Sequence, residues 1–475
     1  MHSTRFILSF VGIILTYLFT ACSEEKSVKS TENSFLAFIE NKPSTLISGK
    51  IQITDFLEDL DYQQIPKVNT ILKNEITQLN KGIDLQSPIF YSVDSLLQPD
   101  GKPSAIYVFA TVKNKDSLAD KLSSLGLLVI PNKQLTTAKG TNFCVGLDEH
   151  LAIFQFGEKA SESQIKESFK LAKLQEKDNI LQRIFQGKAA LQSHLHLANM
   201  QQMIDAQFLD RNVSKKEELL GLYKNAYISS AIHFQEGKVQ ADINFDFPAA
   251  LKNRMFFERT QNQQINNLVK ISNVTAGLSL NLNPTKLETY LSDYYPSLLN
   301  QAVSTNFTLQ LALLSLGDKP ISSITDGQMG ITFSYIQNTL KPNIYIGLGS
   351  QKELIQSFIQ PTINNLQGMN LVFSNNTLNT QIPNQVKTSQ KNITTSFGTT
   401  GLFFFLEPNK IIVQQRDLDD QYKFLDAIQH ITFELNNSGG KLVVQGKNKD
   451  KGLLNQIVMV YVESLIELIS NNGMS

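Results

Sequence analysis

Tryptophan is absent, and only two cysteines, Cys22 and Cys144, occur in 475 residues. Two cysteines allow at most one disulfide, so the fold must rest on burial rather than on cross-links. Net charge is missing as well, because 43 basic residues meet 43 acidic ones. A neutral chain lacks the basic footprint that nucleic acid or anionic headgroups attract, which argues against nucleic acid as a partner. Beyond residue 22 no apolar run approaches the length of a membrane-spanning helix. Catalytic signatures are absent too. There is no GxSxG elbow, P-loop, GxGxxG, CxxC or HExxH, and Gly347-Leu348-Gly349 lacks the third glycine of a dinucleotide loop. The sequence therefore assigns no catalytic residue, no cofactor and no metal, and the chain is expected not to be an enzyme.

What is present begins at the amino end. Arg5 is followed by an apolar run over residues 6–19 and then by Thr20-Ala21-Cys22. A charged start, a short apolar stretch and small residues form the pattern of a secretory signal, too short to span a bilayer comfortably. The alternative, a buried or membrane-spanning N-terminal helix, fits that length and those flanks less well. Phe19-Thr20-Ala21-Cys22 resembles the lipobox of bacterial lipoproteins, with Phe19 in place of the commoner leucine. The resemblance implies cleavage before Cys22, acylation of Cys22 and anchoring in a membrane. Residues 22–33 are polar and aperiodic and read as a flexible tether. Ser23-Glu24-Glu25 resembles the acidic export signal of Bacteroidetes surface lipoproteins, which implies the outer face of the outer membrane rather than its periplasmic face. Without Arg5 the mature chain has 42 basic against 43 acidic residues. Cys144, in Asn142-Phe143-Cys144-Val145-Gly146, has apolar neighbours and reads as a buried, inert thiol rather than a nucleophile.

Strand and helix patterns alternate along the mature chain. Strands are expected at 34–40, 89–93, 105–112, 127–130, 142–147, 151–156 and 190–197, with helices at 68–79, 116–126, 162–174 and 180–185. Helix-like stretches at 200–208 and 215–223 lead to a hairpin over 228–234 and 239–247. There Val239, Ala241, Ile243 and Phe245 alternate with polar residues, so one face is buried and one wet. Residues 261–267, rich in Gln and Asn, mark a junction. Beyond it a strand at 278–282 precedes a helix opened by Asn283-Pro284. Hairpins follow at 331–336 with 344–348, 402–406 with 411–415, and 431–435 with 441–446, and a helix closes the chain at 453–469.

Four groups carry possible chemistry, each with a plainer reading beside it. His194-Leu195-His196 puts two imidazoles on one strand face, but a third metal ligand is missing, so they read as histidines on a wet face. Asp55, Glu58, Asp59 and Asp61 cluster, as do Asp417, Asp419 and Asp420. Both read as solvated runs at helix starts and loops, because the glycine spacing of a calcium loop is missing. Asp55-x-x-Glu58 has the form of a capping box. Asp94-Ser95-Leu96 and Asp116-Ser117-Leu118 resemble the acceptor motif of Bacteroidetes O-glycosylation, which implies glycans on Ser95 and Ser117, although Asp116-Ser117 also suits a helix cap.

Signal, tether and mixed grammar together resemble an uncharacterised family of large Bacteroidetes outer-membrane lipoproteins, a domain of unknown function. The resemblance covers most of the mature chain through pattern rather than an invariant motif. The expected fold is α+β in two similar halves, each a mainly antiparallel sheet with helices packed on one face. The expected divisions are a signal at 1–21, a tether at 22–33, a first unit at 34–260, a junction at 261–272 and a second unit at 273–475. Internal duplication rests on matched landmarks in the same order: 37–46 with 278–287, Ile89-Phe90-Tyr91-Ser92 with Ile331-Thr332-Phe333-Ser334, Ile106-Tyr107-Val108 with Ile344-Tyr345-Ile346, and closing hairpins at 232–247 and 431–446. The expected function is a non-enzymatic binding or scaffold component of the envelope, held to the membrane through Cys22 and in contact with other envelope proteins. Two alternatives stand beside it: a carrier of a lipid or other amphiphile in an apolar groove, and a hydrolase whose site the sequence hides.

Overall fold

The computed structural model describes residues 28–65, 68–94, 103–174, 185, 187–199, 216–271, 273–295, 316, 319–336, 339–364, 371–374, 376–380, 396–412 and 420–471. Among the described residues eighteen strands and the helices between them make an α+β protein, and every pairing whose register is described is antiparallel. The chain divides into two compact units that interleave in sequence. The first takes Met1–Met203, Tyr227–Val239 and Asn448–Met459, and the second takes Ile204–Ala226, Gln240–Lys447 and Val460–Ser475. The expected junction at 261–272 falls inside the second unit.

The first unit opens on α1 (Val28–Glu40). The strand expected at 34–40 is thus helical, and the helix starts inside the expected tether. The physical reason is spacing: Thr31, Phe35 and Phe38 recur every three or four residues, and all three are buried. Next come β1 (Thr45–Ile51), α2 (Ile53–Leu60), α3 (Val68–Leu79), β2 (Ile89–Asp94), β3 (Ile106–Thr111) and α4 (Lys115–Ser124). They are followed by β4 (Leu128–Ile130), β5 (Thr136–Lys139), β6 (Phe143–Leu147), β7 (Leu151–Phe156), α5 (Glu162–Ala172), β8 (Leu191–His196) and β9 (Tyr227–Gln235). The sheet order is β9-β8-β1-β2-β3-β7-β6-β5-β4.

Helices cover both faces of this sheet, not one. Phe35 and Phe38 of α1 and Ile165 and Phe169 of α5 pack on Phe90, Tyr107, Phe109 and Ile153. On the other face Ile76 of α3 and Leu118 and Leu122 of α4 pack on Ile89, Ile106, Val108 and Ala152. Successive residues of β2 and β3 feed opposite faces and most are apolar, so each face needs a cover. Two local expectations change as well. Gln52 precedes α2 without a side-chain cap, so Asp55 and Glu58 form no capping box. The cap of α4 is Asn114, whose Oδ1 accepts the Ser117 amide at 2.8 Å, not Asp116-Ser117.

The second unit contains α6 (Lys216–Tyr223), β10 (Lys238–Asp246), α7 (Ala249–Lys252), α8 (Gln263–Leu268), β11 (Val274–Asn281), α9 (Pro284–Tyr294) and α10 (Pro320–Ile324). Then come β12 (Thr325–Ile336), β13 (Thr339–Leu348), α11 (Lys352–Asn364), β14 (Leu371–Ser374), β15 (Thr377–Thr380) and β16 (Leu402–Leu406). The series ends with α12 (Pro408–Ile412), β17 (Ile428–Asn436) and β18 (Gly439–Gly446), while α13 (Leu453–Asn471) starts in the first unit, which holds Asn448–Met459, and ends in the second. Its sheet order is β10-β18-β17-β16-β11-β12-β13-β15-β14. The return strand expected at 411–415 is absent among the described residues. Pro408 instead starts a helix, and β16 pairs with β11 and β17. Helices again lie on both faces. Ile265 and Leu268 of α8 pack with Phe403, Phe405 and Tyr345, while Ile355 of α11 packs with Leu348 and Leu378 on the opposite face.

Candidate functional site

Cys22 and Ser95 lie outside the described residues, as do Asp417 and Asp419. Ser117 is half-buried in the first turn of α4. Cys144 is fully buried, and burial pushes its thiol pKa up.

The two histidines of β8 do share a face, but that face turns inward, which corrects the wet-face expectation. His194 is only 2% exposed, with Phe185 edge-on at 5.0 Å. His196 Nε2 lies 3.3 Å from Ser48 Oγ, and burial lowers the His196 pKa to about 4. Among the described residues no three His, Cys, Asp or Glu side chains gather as metal ligands. Ser48 is itself fully buried and His196 is half-buried.

A second polar group sits where α1 meets β1. Lys42 Nζ lies 3.2 Å from Asp94 Oδ2, donates to the Tyr107 hydroxyl at 3.1 Å and stands 4.3 Å from the Tyr107 ring centre. Ser44 Oγ donates to Asp94 Oδ1 at 3.0 Å. Burial raises the Asp94 pKa, against the pull of Lys42. Each group is thereby committed to a neighbour within the fold.

The acidic run at 55–61 is also partly structural. Asp59 is buried, and its Oδ2 accepts the Leu454 amide at 2.8 Å, so it caps the start of α13. That corrects its solvated reading; Glu58 is exposed, and Asp55 and Asp61 are half-buried. Beside them an open groove of about 440 Å³ is lined by Thr54, Leu57, Glu58, Asp61, Tyr62 and Gln63. In the second unit Tyr294 donates to Glu218 at 2.7 Å beneath Arg254, and burial pushes Tyr290 and Tyr294 up to about 12.

The feature that the sequence did not single out is a sheet face. Register places Ile344, Ile331, Leu278, Phe404, Phe433 and Leu442 in one continuous row across β13, β12, β11, β16, β17 and β18. The rows on either side are Ile346, Met329, Leu280, Leu402, Leu435 and Gly440, and Pro342, Phe333, Ala276, Leu406, Ile431 and Val444. None of these residues carries a charge. Leu278 is 41% exposed and every other member of the three rows is half-buried. The central row belongs to none of the buried clusters among the described residues.

On β11 and β12 the covered face is the small and polar one: Gly277, Ser279, Gly330 and Thr332 are all buried. On β11 the cover is Phe397, Phe405 and Gly398, whose amide donates to Ser279 Oγ at 2.8 Å, and on β12 it is the close approach of α8. A Cβ added at Gly330 would stand 2.9 Å from Ile265 Cγ2 and 3.0 Å from Leu268 Cδ1, and Thr332 Oγ1 donates to the Leu268 carbonyl at 3.3 Å. Helix α8 on β12 and Phe397-Gly398 on β11 therefore claim the face where side chains are small and leave the large apolar ones on the other. Alternation in Ala276-Gly277-Leu278-Ser279-Leu280-Asn281 announces these two faces but not which of them is covered.

No family model matches the chain, and no curated protein matches it significantly. Among solved structures, crystal form III of TP0453 aligns with a TM-score of 0.29 at 9% identity, over 48% of this chain and 82% of that one. Crystal form I aligns with a TM-score of 0.28 at 8% identity, over 48% and 81%. Likeness at that level carries no functional argument.

Proposed function

We propose that the chain is a lipid-anchored protein of the bacterial outer membrane, surface-exposed, that binds or scaffolds another envelope molecule without catalysing a reaction. The observation that carries this reading is Phe19-Thr20-Ala21-Cys22 behind a short apolar run, followed by Ser23-Glu24-Glu25. Several acyl chains on Cys22 hold a protein to a membrane stably, where one chain would not. Binding rather than catalysis is favoured by where the polar chemistry went: Lys42, Asp94 and Asp59 are all engaged in holding the fold. The amphiphile-carrier alternative is favoured by the uncharged, half-exposed face of the second unit. The hydrolase alternative would have to start from the Ser48–His196 contact, whose serine is fully buried.

Changing Cys22→Ala tests the anchor. The expected outcome is a variant released from the outer membrane, either soluble or held unprocessed in the inner membrane. Wild-type amounts of Cys22→Ala in the outer membrane would refute it.

The same proposal includes descent of the two units from one duplicated ancestor. Its support is the pairing order. In each unit the opening strand, β1 or β11, lies between the second strand and the first strand of the closing segment. The third strand, β3 or β13, then pairs with the last strand of a later hairpin, β7 or β15. Both opening strands carry an irregularity near their start, at Thr45/Ile47 and Val274/Ala276. Lining these up sets Ser92 with Thr332 and Phe109 with Tyr345, two residues from the match read in the sequence. The landmark at 37–46 drops out, because it would match helix α1 to strand β11.

A further inference from the structure

We infer that the half-exposed sheet face of the second unit, centred on Leu278 and Phe404, is a binding site for the long aliphatic chain of a lipid-like amphiphile. The inference rests on the binding reading above and gives it a location and a ligand class.

Three observations carry it. The first is chemistry. Three adjacent cross-strand rows contain no charged side chain, while the opposite face of β11 and β12 carries Ser279 and Thr332. A ligand seated there meets methyl, methylene and phenyl groups and gains nothing from its own donors or charges. A protein partner would bring hydrogen-bonding groups, typically one bond per 100–200 Å² of interface, and this face would leave them unanswered.

The second is area. Six strands about 4.8 Å apart and a depth of five residues at about 3.3 Å span roughly 24 by 16 Å, near 400 Å². A stable interface between two copies covers about 800 Å² on each partner. The face is about half that size, too small for a durable dimer and ample for one or two extended alkyl chains.

The third is position in the fold. In the first unit the corresponding face, carrying Ile89, Tyr91 and Val108, is packed under Ile76 of α3 and Leu118 and Leu122 of α4. In the second unit, among the described residues, α11 contributes Ile355 at the far edge, against Leu348 and Leu378. In the central row Leu278 stays 41% exposed, and Ile331, Phe404 and Phe433 stay half-buried outside the buried clusters.

The test uses the mature protein with Cys22→Ala, so that it carries no acyl chain of its own, purified without detergent. Pyrene-labelled hexadecanol is titrated and read by fluorescence. Saturable binding is expected, at least tenfold weaker in the double variant Leu278→Asn/Phe404→Asn and unchanged in Leu128→Asn, an exposed leucine of the first unit. Absence of saturable binding, or equal affinity in the double variant, overturns the inference. Should the double variant fail to fold, a diazirine-bearing hexadecanol is crosslinked to the Cys22→Ala protein. Label on β11, β12 or β16 supports the site, and label confined elsewhere overturns it. A dimer in sedimentation that the double variant dissolves would make the face a contact between copies and overturn it too. These outcomes are separate from the anchor test, which reads only where Cys22→Ala resides.

Discussion

Breaking the Lys42–Asp94 pair from one side should cost far more than removing it whole. Asp94 is 4% exposed, and its carboxylate answers both Lys42 and Ser44. Truncating one partner of a buried ion pair costs about 3–5 kcal/mol, because the other charge is left without compensation. Two features reduce that figure in Asp94→Ala. The Lys42 side chain keeps 17% exposure, and it retains the Tyr107 hydroxyl at 3.1 Å and the ring at 4.3 Å. A cation over an aromatic face contributes about 1–2 kcal/mol when partly desolvated, so the expected loss is about 2–3 kcal/mol. Lys42→Met should cost less, about 1–2 kcal/mol, since Asp94 keeps Ser44 and burial already favours its protonated form. The double variant Lys42→Met/Asp94→Leu should return to within about 1 kcal/mol of wild type, as buried pairs replaced by apolar groups often do.

The assay is hydrogen exchange of the β2 and β3 amides, which reports the first unit by itself and does not need the tryptophan that the chain lacks. Additivity of the two single changes within about 0.5 kcal/mol would refute the coupling. The acid limb gives an independent sign. The folded Asp94 pKa lies above the ordinary 3.8. Its contribution is therefore fully present below that value and lost as pH rises through the folded pKa. The wild-type advantage over Asp94→Asn should shrink from acid to neutral pH, and growth of that advantage would count against the burial argument.

His196 should act in the opposite direction. Its pKa falls from 6.5 to about 4 on folding, so stability is lost as pH drops through that window, by about 2–3 kcal/mol after allowance for partial exposure. His196→Gln should flatten the urea midpoint between pH 6.5 and 4; an unchanged acid slope would refute the burial of that imidazole. Gly330→Val should cost about 1–3 kcal/mol by overpacking against Ile265 and Leu268, seen as faster exchange of α8 amides. An unaltered exchange rate there would mean that α8 does not lie so close.

The sequence alone settled the periodic elements. Residues 68–79 are helical because apolar residues recur at helical spacing, and β9, β10, β17 and β18 follow from alternation and from glycine-bearing turns. It also located the buried Cys144, because its neighbours are apolar. Short runs misled it. Phe35-Leu36-Ala37-Phe38-Ile39 is apolar at both spacings, and the packing of Phe35 and Phe38 on Phe90 and Phe109 chose helix. Ile411 and Ile412 read as a strand, but Pro408 began a helix before any partner strand was reached. Residues 371–380 gave no clear signal, and β14 and β15 exist through pairing with each other and with β13.

Which side of a strand faces inward was never in the sequence. Alternation divides β11 into Leu278 and Leu280 on one face and Gly277 and Ser279 on the other, and burial of the apolar set is the usual outcome. Here the rings of Phe397 and Phe405 and the Gly398 amide come so close to Gly277 and Ser279 that small residues fit beneath them, and the leucines take the other face. The period of a strand is a property of its own residues. The choice of face belongs to whatever packs against it, and only the tertiary structure supplies that.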